Sequence, residues 1–374
     1  MAPAGRRREG LVKAGDAFVR FLLRKRCWFA GRRDAMLGRS RRNIEVRARE
    51  TCRPTILNWR RCMVRSPLLP AVLGLTCAVA IVTTRSVESI CHGADAVSTT
   101  KSFDLGKGKR LGDGPAKEHS GIVKSRNWPE TFWMHNDSGD EPRIYPVQRN
   151  GKVAKSEREP ETPGVAIAGA INVDWEDIAV DDRGRVIVAD TGNNRNDRRD
   201  LVLYVIPEPA PLAERTTFVK KLFFRYPGQK EFPAPKDDFN YDCEAIFTIG
   251  GQIYLCSKHR SDTRTNLYRL DPDSNEEVQT AQLIDTFDVL GQATGADATP
   301  DGKRIVINTY EDLWLFDVTD PEKPLSGPVK RLSFENDDDV EAVCFADDDT
   351  LLIGAEAAGR IYEVPLSEFV EYER

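Results

Sequence analysis

The stretch VIVADTGNNRNDRRDLVLYVI, residues 186–206, holds two apolar runs separated by a polar knot. Val186, Ile187, Val188 and Ala189 have the bias of a buried strand, and residues 201–206 have it again. The turn between them is rich in Asp, Gly and Asn, which close tight turns with their own side chains or with a permissive backbone. Such a hairpin is either a lone catalytic loop or one copy of a repeat. The rest of the chain decides which.

The same layout of strand, polar turn and second strand recurs four times. The copies are FWMHNDSGDEPRIYPV (132–147), IYLCSKHRSDTRTNLYRL (253–270), IVINTYEDLWLFDV (305–318) and LLIGAEAAGRIYEV (351–364). Each of the five units follows a short segment in which an acidic residue leads or sits within a small or apolar run: EHSGIV, DWEDIAV, DCEAIF, GADATP and DVEAVCF, starting at residues 118, 174, 242, 295 and 339. Three units are followed by a further alternating strand, from residues 216, 281 and 329. About four strands per unit, repeating every 45 to 70 residues or so, is the pattern of propeller blades. The expectation is an all-β fold, a single β-propeller of five blades, with six if the long interval between Glu176 and Glu244 conceals another. Residues 100–106, TKSFDLG, are expected to supply the outer strand of the last blade and so close the ring, because an open ring leaves sheet edges free to aggregate.

The net charge of -5 conceals an asymmetry: residues 1–62 carry 18 Lys and Arg against 5 Asp and Glu, which leaves the remainder strongly acidic. An acidic body with no basic-aromatic interleaving excludes nucleic acid as a partner and leaves a small molecule or a protein. Residues 63–65 (MVR), the 18 uncharged residues 67–84 and the A-x-A site at 94–96 are the parts of a signal peptide. The chain therefore divides into a basic extension (1–62), untranslated if the start is Met63, then a signal peptide or transmembrane anchor (63–96) and a propeller (97–374). Export is expected under either reading, with membrane contact only through residues 67–84 if they stay uncleaved. Of eight cysteines only Cys243, Cys256 and Cys344 fall in the body. Their spacing fits no zinc site. Burial as small apolar residues is expected ahead of a Cys243–Cys256 bridge.

The VADTGNNR segment, residues 188–195, resembles the blade turn of NHL repeats. The wider order SG, HNDSG, DWEDIAV, DTGNN, LYVIPEP resembles a group of exported bacterial propellers, themselves similar to calcium-dependent lactonase, phosphotriesterase and phytase-like esterase propellers. The resemblance spans residues 120–364. It implies the fold and, more distantly, a channel Ca²⁺ paired with a histidine base.

In an antiparallel blade the head of the innermost strand and the end of the second strand share one face of the ring. The heads contribute Glu118, Glu176, Glu244, Asp297 and Glu341, and the ends His135, Asn136, Asp137, Asp190, Lys258, His259, Thr309, Tyr310 and Glu356. Five converging carboxylates repel one another, and a hard divalent ion with oxygen ligands, Ca²⁺, would relieve them. The alternative is a purely structural ring in which each carboxylate accepts backbone N–H groups of the next blade. Asp190, Asn193 and Asn194 read as such staples. Lys258 is either counter-charge to the ring or anchor for an anionic ligand. Asn136, Asp137, Lys258 and Tyr310 are the expected ligand contacts, and the resemblance makes His135 the candidate base. No G-x-S-x-G elbow, phosphate loop or H-E-x-x-H motif is present. Two functions follow: a propeller binding a ligand or partner with a divalent cation at its acidic mouth, or a Ca²⁺-dependent hydrolase.

Overall fold

The computed structural model describes residues 102–116, 118–158, 163–335 and 339–374. The basic extension, the uncharged segment 67–84 and the A-x-A site lie outside the described residues. Among those described, no helix is long and apolar enough to cross a membrane.

The chain enters with β1 (Lys109–Arg110) and then builds blade 1 from β2 (His119–Lys124), β3 (Phe132–Asn136), β4 (Arg143–Val147) and β5 (Val165–Ala166). Blade 2 follows with β6 (Trp175–Val180), β7 (Arg185–Asp190), β8 (Val202–Pro207) and β9 (Lys220–Arg225). Blade 3 comprises β10 (Asp242–Ile249), β11 (Gln252–Lys258), β12 (Arg264–Leu270) and, after β13 (Val278–Thr280), the outer strand β14 (Gln282–Asp288). Blade 4 holds β15 (Gly295–Ala298), β16 (Arg304–Asn308), β17 (Asp312–Asp317) and β18 (Val329–Ser333). Blade 5 holds β19 (Val340–Phe345), β20 (Thr350–Ala355) and β21 (Arg360–Pro365), and β22 (Val370–Glu371) follows. The protein is a five-bladed β-propeller, and the opening hairpin is the β7–β8 pair of its second blade, with Val188 opposite Tyr204.

The five inner strands β2, β6, β10, β15 and β19 are each packed against the next, and β19 against β2. The apolar runs are buried on both faces because each blade is sandwiched between two others. One core lies between each adjacent pair. The closing one sets Ile122, Met134, Tyr145 and Val147 of blade 1 against Ala342, Cys344, Leu352 and Ile361 of blade 5. Cys243, Cys256 and Cys344 are free and buried in these layers, as small apolar residues.

The ring is closed by the N-terminal segment, but among the described residues not by 102–106 of the expected 100–106. Lys109 and Arg110 of β1 pair with Ile361 and Arg360 of β21. Phe103 instead bridges Phe334 at the edge of blade 4, its N–H bonded to the Ser333 carbonyl at 2.8 Å. The alternation of SFDL drew the expectation to the wrong residues: Phe103 and Leu105 are apolar because they pack against the core between blades 4 and 5. The chain then turns at Gly106 and Gly108, both at positive φ, and reaches blade 5 over a face of Tyr362 where a Cβ at Gly108 would lie 2.5 Å from the ring. There is no sixth blade between Glu176 and Glu244. That interval folds over the rim, its Tyr241 and Ala234 N–H groups bonded to the side chain and carbonyl of Asn196.

Candidate functional site

Four of the five inner strands begin with a β-bulge, in which one residue near the head is left out of the pairing with the second strand. The skipped residues are Ser120, Glu176, Glu244 and Glu341. The bulge matters because it interrupts strict alternation and lets neighbouring side chains turn toward the channel. Three of these heads share a D-x-E spacing: Asp174 with Glu176, Asp242 with Glu244, and Asp339 with Glu341.

The result is a carboxylate cluster at one mouth. Oxygen atoms of Asp137, Asp174 and Glu176 all lie within 4.8 Å of one another, and so do those of Glu176, Asp242 and Glu244. Glu176 belongs to both groups. It is only 6% exposed, and among the described residues no donor bonds its carboxylate. Burial, then the charges of Glu244, Asp137 and Asp242, push its pKa well above the usual range. Burial, with Asp174, Glu341 and Glu118 nearby, lifts Asp137 to about 7. Glu341 is raised to about 8 by burial and by Glu356, with which it shares a hydrogen bond. Gly192 passes beneath the first group: a Cβ there would lie 2.1 Å from Oε1 of Glu176 and 2.5 Å from Oδ2 of Asp174. The Asx side chains around it are staples. Asp190 accepts the N–H of Asp174 at 3.1 Å, and Asn193 donates to the Tyr241 carbonyl at 2.9 Å.

Cations occupy the other side of the mouth. The buried Lys258 ammonium bonds Glu244 and the Tyr310 hydroxyl, the latter at 2.7 Å. Arg260 bonds Asp242 at 2.6 Å and the amide of Asn194. Arg198 pairs with Asp190 at 2.9 Å.

The expected site residues are thus divided. Glu176, Glu244 and Glu341 stand together at the mouth with Asp137, Lys258 and Tyr310. Glu118 is exposed beside them, one residue before β2, where the bulged position belongs to Ser120. Asp297 is elsewhere: it sits opposite Val306 along β15 and its Oδ2 accepts the N–H of Phe345 at 2.9 Å. Blade 4 fills the rim position with Thr294, whose hydroxyl bonds the Val340 carbonyl just as Ser120 bonds that of Glu176. His135 is fully buried between blades 1 and 2, edge-on to Trp175, with Nδ1 3.0 Å from the Asn136 carbonyl. Burial lowers its pKa to about 4. Asn136 is turned to the Gly114 carbonyl and Asp140.

Sequence reasoning passed over Asp174, Asp242 and Arg260, although the repeated D-x-E spacing marks the first two. It also passed over Asp177. This fully buried carboxylate accepts the N–H of Ile178 at 2.8 Å, of Ile246 in blade 3 at 2.7 Å and of Ala296 in blade 4 at 3.3 Å. Asp177 therefore crosses the axis from blade 2 and binds three inner strands together.

No family model matches the chain, and no curated protein matches it. Among solved structures it is similar to the PQQ-bound form of aldose sugar dehydrogenase from Streptomyces coelicolor, with 11% identity over 71% of this chain and 99% of that one and a TM-score of 0.42. It is also similar to a functionally unknown protein from Desulfotomaculum acetoxidans, with 10% identity over 67% and 70% of the two chains and a TM-score of 0.38. Hydrazine synthase from Kuenenia stuttgartiensis matches with 8% identity over 66% and 71% and a TM-score of 0.36. Likenesses this distant carry no argument about what this chain binds or does. The resemblance of the DTGNN turn to NHL and lactonase-like propellers rests on its own residues alone.

Proposed function

We propose that this propeller binds a divalent cation, Ca²⁺ by the hardness of its oxygen donors, at Asp137, Asp174 and Glu176, and through it a ligand or partner at the acidic mouth. The observation that carries the reading is Glu176. A carboxylate so deeply buried is ordinarily paired or hydrogen-bonded, yet none of the described residues donates to this one and the charges that act on it most are other carboxylates. A cation supplies what the protein leaves out. Three carboxylates offer up to six oxygens, and Ca²⁺ takes six to eight, so the ion keeps room for water or a ligand oxygen.

Ca²⁺ titration of the metal-free protein by calorimetry tests this. The parent is expected to bind and to gain thermal stability by mass action. Glu176→Gln keeps the shape but loses the charge, and is expected to weaken binding by about tenfold or more, as loss of a full charge at close range implies. Absence of binding heat and of any melting shift at millimolar Ca²⁺ would refute the reading. Hydrolysis is the second reading, and the observation favouring it is the Glu341–Glu356 pair, a proton-holding group beside the mouth. His135 gains no support as the base from its buried position. The same metal-free and Ca²⁺-loaded samples separate the two, since only a hydrolase turns over lactone, aryl-ester or phosphoester substrates and stops when chelated.

A further inference from the structure

We propose that the mouth is laid out for two cations in adjoining carboxylate groups that share Glu176, and that the Lys258 ammonium, seated on Glu244, takes the place of one of them, a permanent resident that limits the protein to a single exchangeable metal ion. The inference rests on the metal reading above and concerns how many ions the mouth accepts and where.

The two carboxylate groups overlap at Glu176. Metal ions that share a bridging carboxylate stand about 3.5–4 Å apart, a spacing that overlapping groups of this size can serve. The two halves are not equivalent, however. On the blade 3 side every acid has a cation. Asp242 holds Arg260 and, through Oδ1, the N–H of Asn193 at 2.6 Å. Glu244 holds Lys258, and Arg260 lies 3.6 Å from its other oxygen.

Lys258 is not a surface lysine that happens to reach an acid. It is 3% exposed, its ammonium is bonded to both Glu244 and Tyr310, and it lies 4.9 Å from the centre of the Tyr310 ring. Tyr310 is itself braced 3.4 Å from Glu341. Hydroxyl and carboxylate together form a socket for a compact positive charge. Burial alone would strip a lysine of its proton; Glu244 and Tyr310 raise its pKa instead.

On the blade 1–2 side no cation is bonded to the three acids: Arg198, whose charge is felt at Asp174, is committed to Asp190 and the Gly192 carbonyl. Asp137 takes only the N–H of Ser138, Asp174 only the amide of Asn194, and Glu176 nothing among the described residues. Bare backbone at Gly192 leaves room for Asp174 and Glu176 to converge. One half is filled by the chain itself and the other is left for an ion from solution.

Calorimetric Ca²⁺ titration of the metal-free parent and of Lys258→Met tests this. One site is expected in the parent and two in the variant, with Lys258→Arg retaining one. A parent with two sites overturns the inference and leaves the metal reading standing, as does a variant with one site of unchanged affinity. A parent with none and a variant with one keeps Lys258 as the resident cation and refutes the metal reading. Absence of binding in both refutes the two together. If Lys258→Met does not fold, the parent background still decides. Glu176→Gln is expected to weaken binding at least about tenfold more than Glu244→Gln, since only the former removes a charge in contact with the ion. Equal losses would place the ion on the Lys258 side and overturn the inference.

Discussion

Asp177 ties three inner strands of the ring together through one side chain. Its Oδ1 serves Ile178, while its Oδ2 alone serves both Ile246 and Ala296. Burial drives its pKa well up against the pull of those N–H groups. Asp177→Ala orphans three buried donors and is expected to destabilise the fold by about 3 kcal/mol or more, since each unsatisfied buried donor costs about 1–3 kcal/mol. Asp177→Asn can keep its oxygen toward Ile246 and Ala296 and lose only the bond to Ile178, so a loss of about 1–2 kcal/mol is expected on the same scale. Urea unfolding of the two variants measures the difference, and equal losses would show that the cross-axis bonds contribute little. The sequence hid this role. Strict alternation sends neighbours such as Glu176 and Asp177 to opposite faces, but the bulge at Glu176 breaks that alternation, and one-dimensional pattern carries no record of a bulge.

At the level of elements, the closing contact is short. Lys109 and Arg110 are the whole of β1, and behind them Leu111, with Ala116 at its edge, joins the core between blades 5 and 1. Deleting residues 102–110 leaves the edge of β21 unpaired and is expected to lower the melting temperature by several degrees, at roughly 2–4 °C per kcal/mol for a body of this size. Deleting 102–106 removes only the Phe103 bridge and its packing and should cost less. Thermal unfolding followed by circular dichroism ranks them; the reverse order would return closure to the earlier segment. The blades themselves were legible because runs such as Val186–Ala189 have to be apolar when other blades cover both faces. The closing strand was not, since a basic dipeptide on a ring's outer edge needs no apolar pattern. Asp297 misled for a related reason: GADATP matches the other strand heads by its acid, yet the structural match to their bulged position is Thr294.

For the whole molecule, the cluster ties stability to pH. Asp137 at about 7 and Glu341 at about 8 bind protons more tightly folded than unfolded, where carboxyl groups titrate near 4. Their contribution is present at low pH and is lost as pH rises through 7 to 8. His119 and His135 act oppositely. Their pKa values fall from 6.5 to about 4, so their neutral burial costs stability below pH 6.5 and nothing above it. Glu244 at about 8 and Asp297 at about 6 act in the same direction, so the carboxyl groups outnumber the histidines between about pH 4 and 6.5, and above that only the carboxyl effect remains. Metal-free protein is therefore expected to lose stability from pH 6.5 to 8, at up to about 1.4 kcal/mol per pH unit for each proton released. Ca²⁺ needs the deprotonated groups, so its stabilising effect should grow over the same interval. Melting curves at pH 6.5 and 8 with and without Ca²⁺ check both signs. A metal-free protein more stable at pH 8 would show the cluster to be ionised throughout.

The side chain that crosses the axis also governs traffic. Asp177 is fully buried and bonded to the inner strands of blades 2, 3 and 4, so an ion bound at the acidic mouth, as proposed above, would be expected to enter and leave from the outer side. For the proposed ion, release would then depend on the rim above it. Ile171 and Val173 stand exposed on that rim beside Asp174, on a loop pinned by Trp175, Tyr204 and Asp190. If the mouth holds the proposed ion, a fixed frame with an apolar lip would slow its departure without adding a single ligand to it.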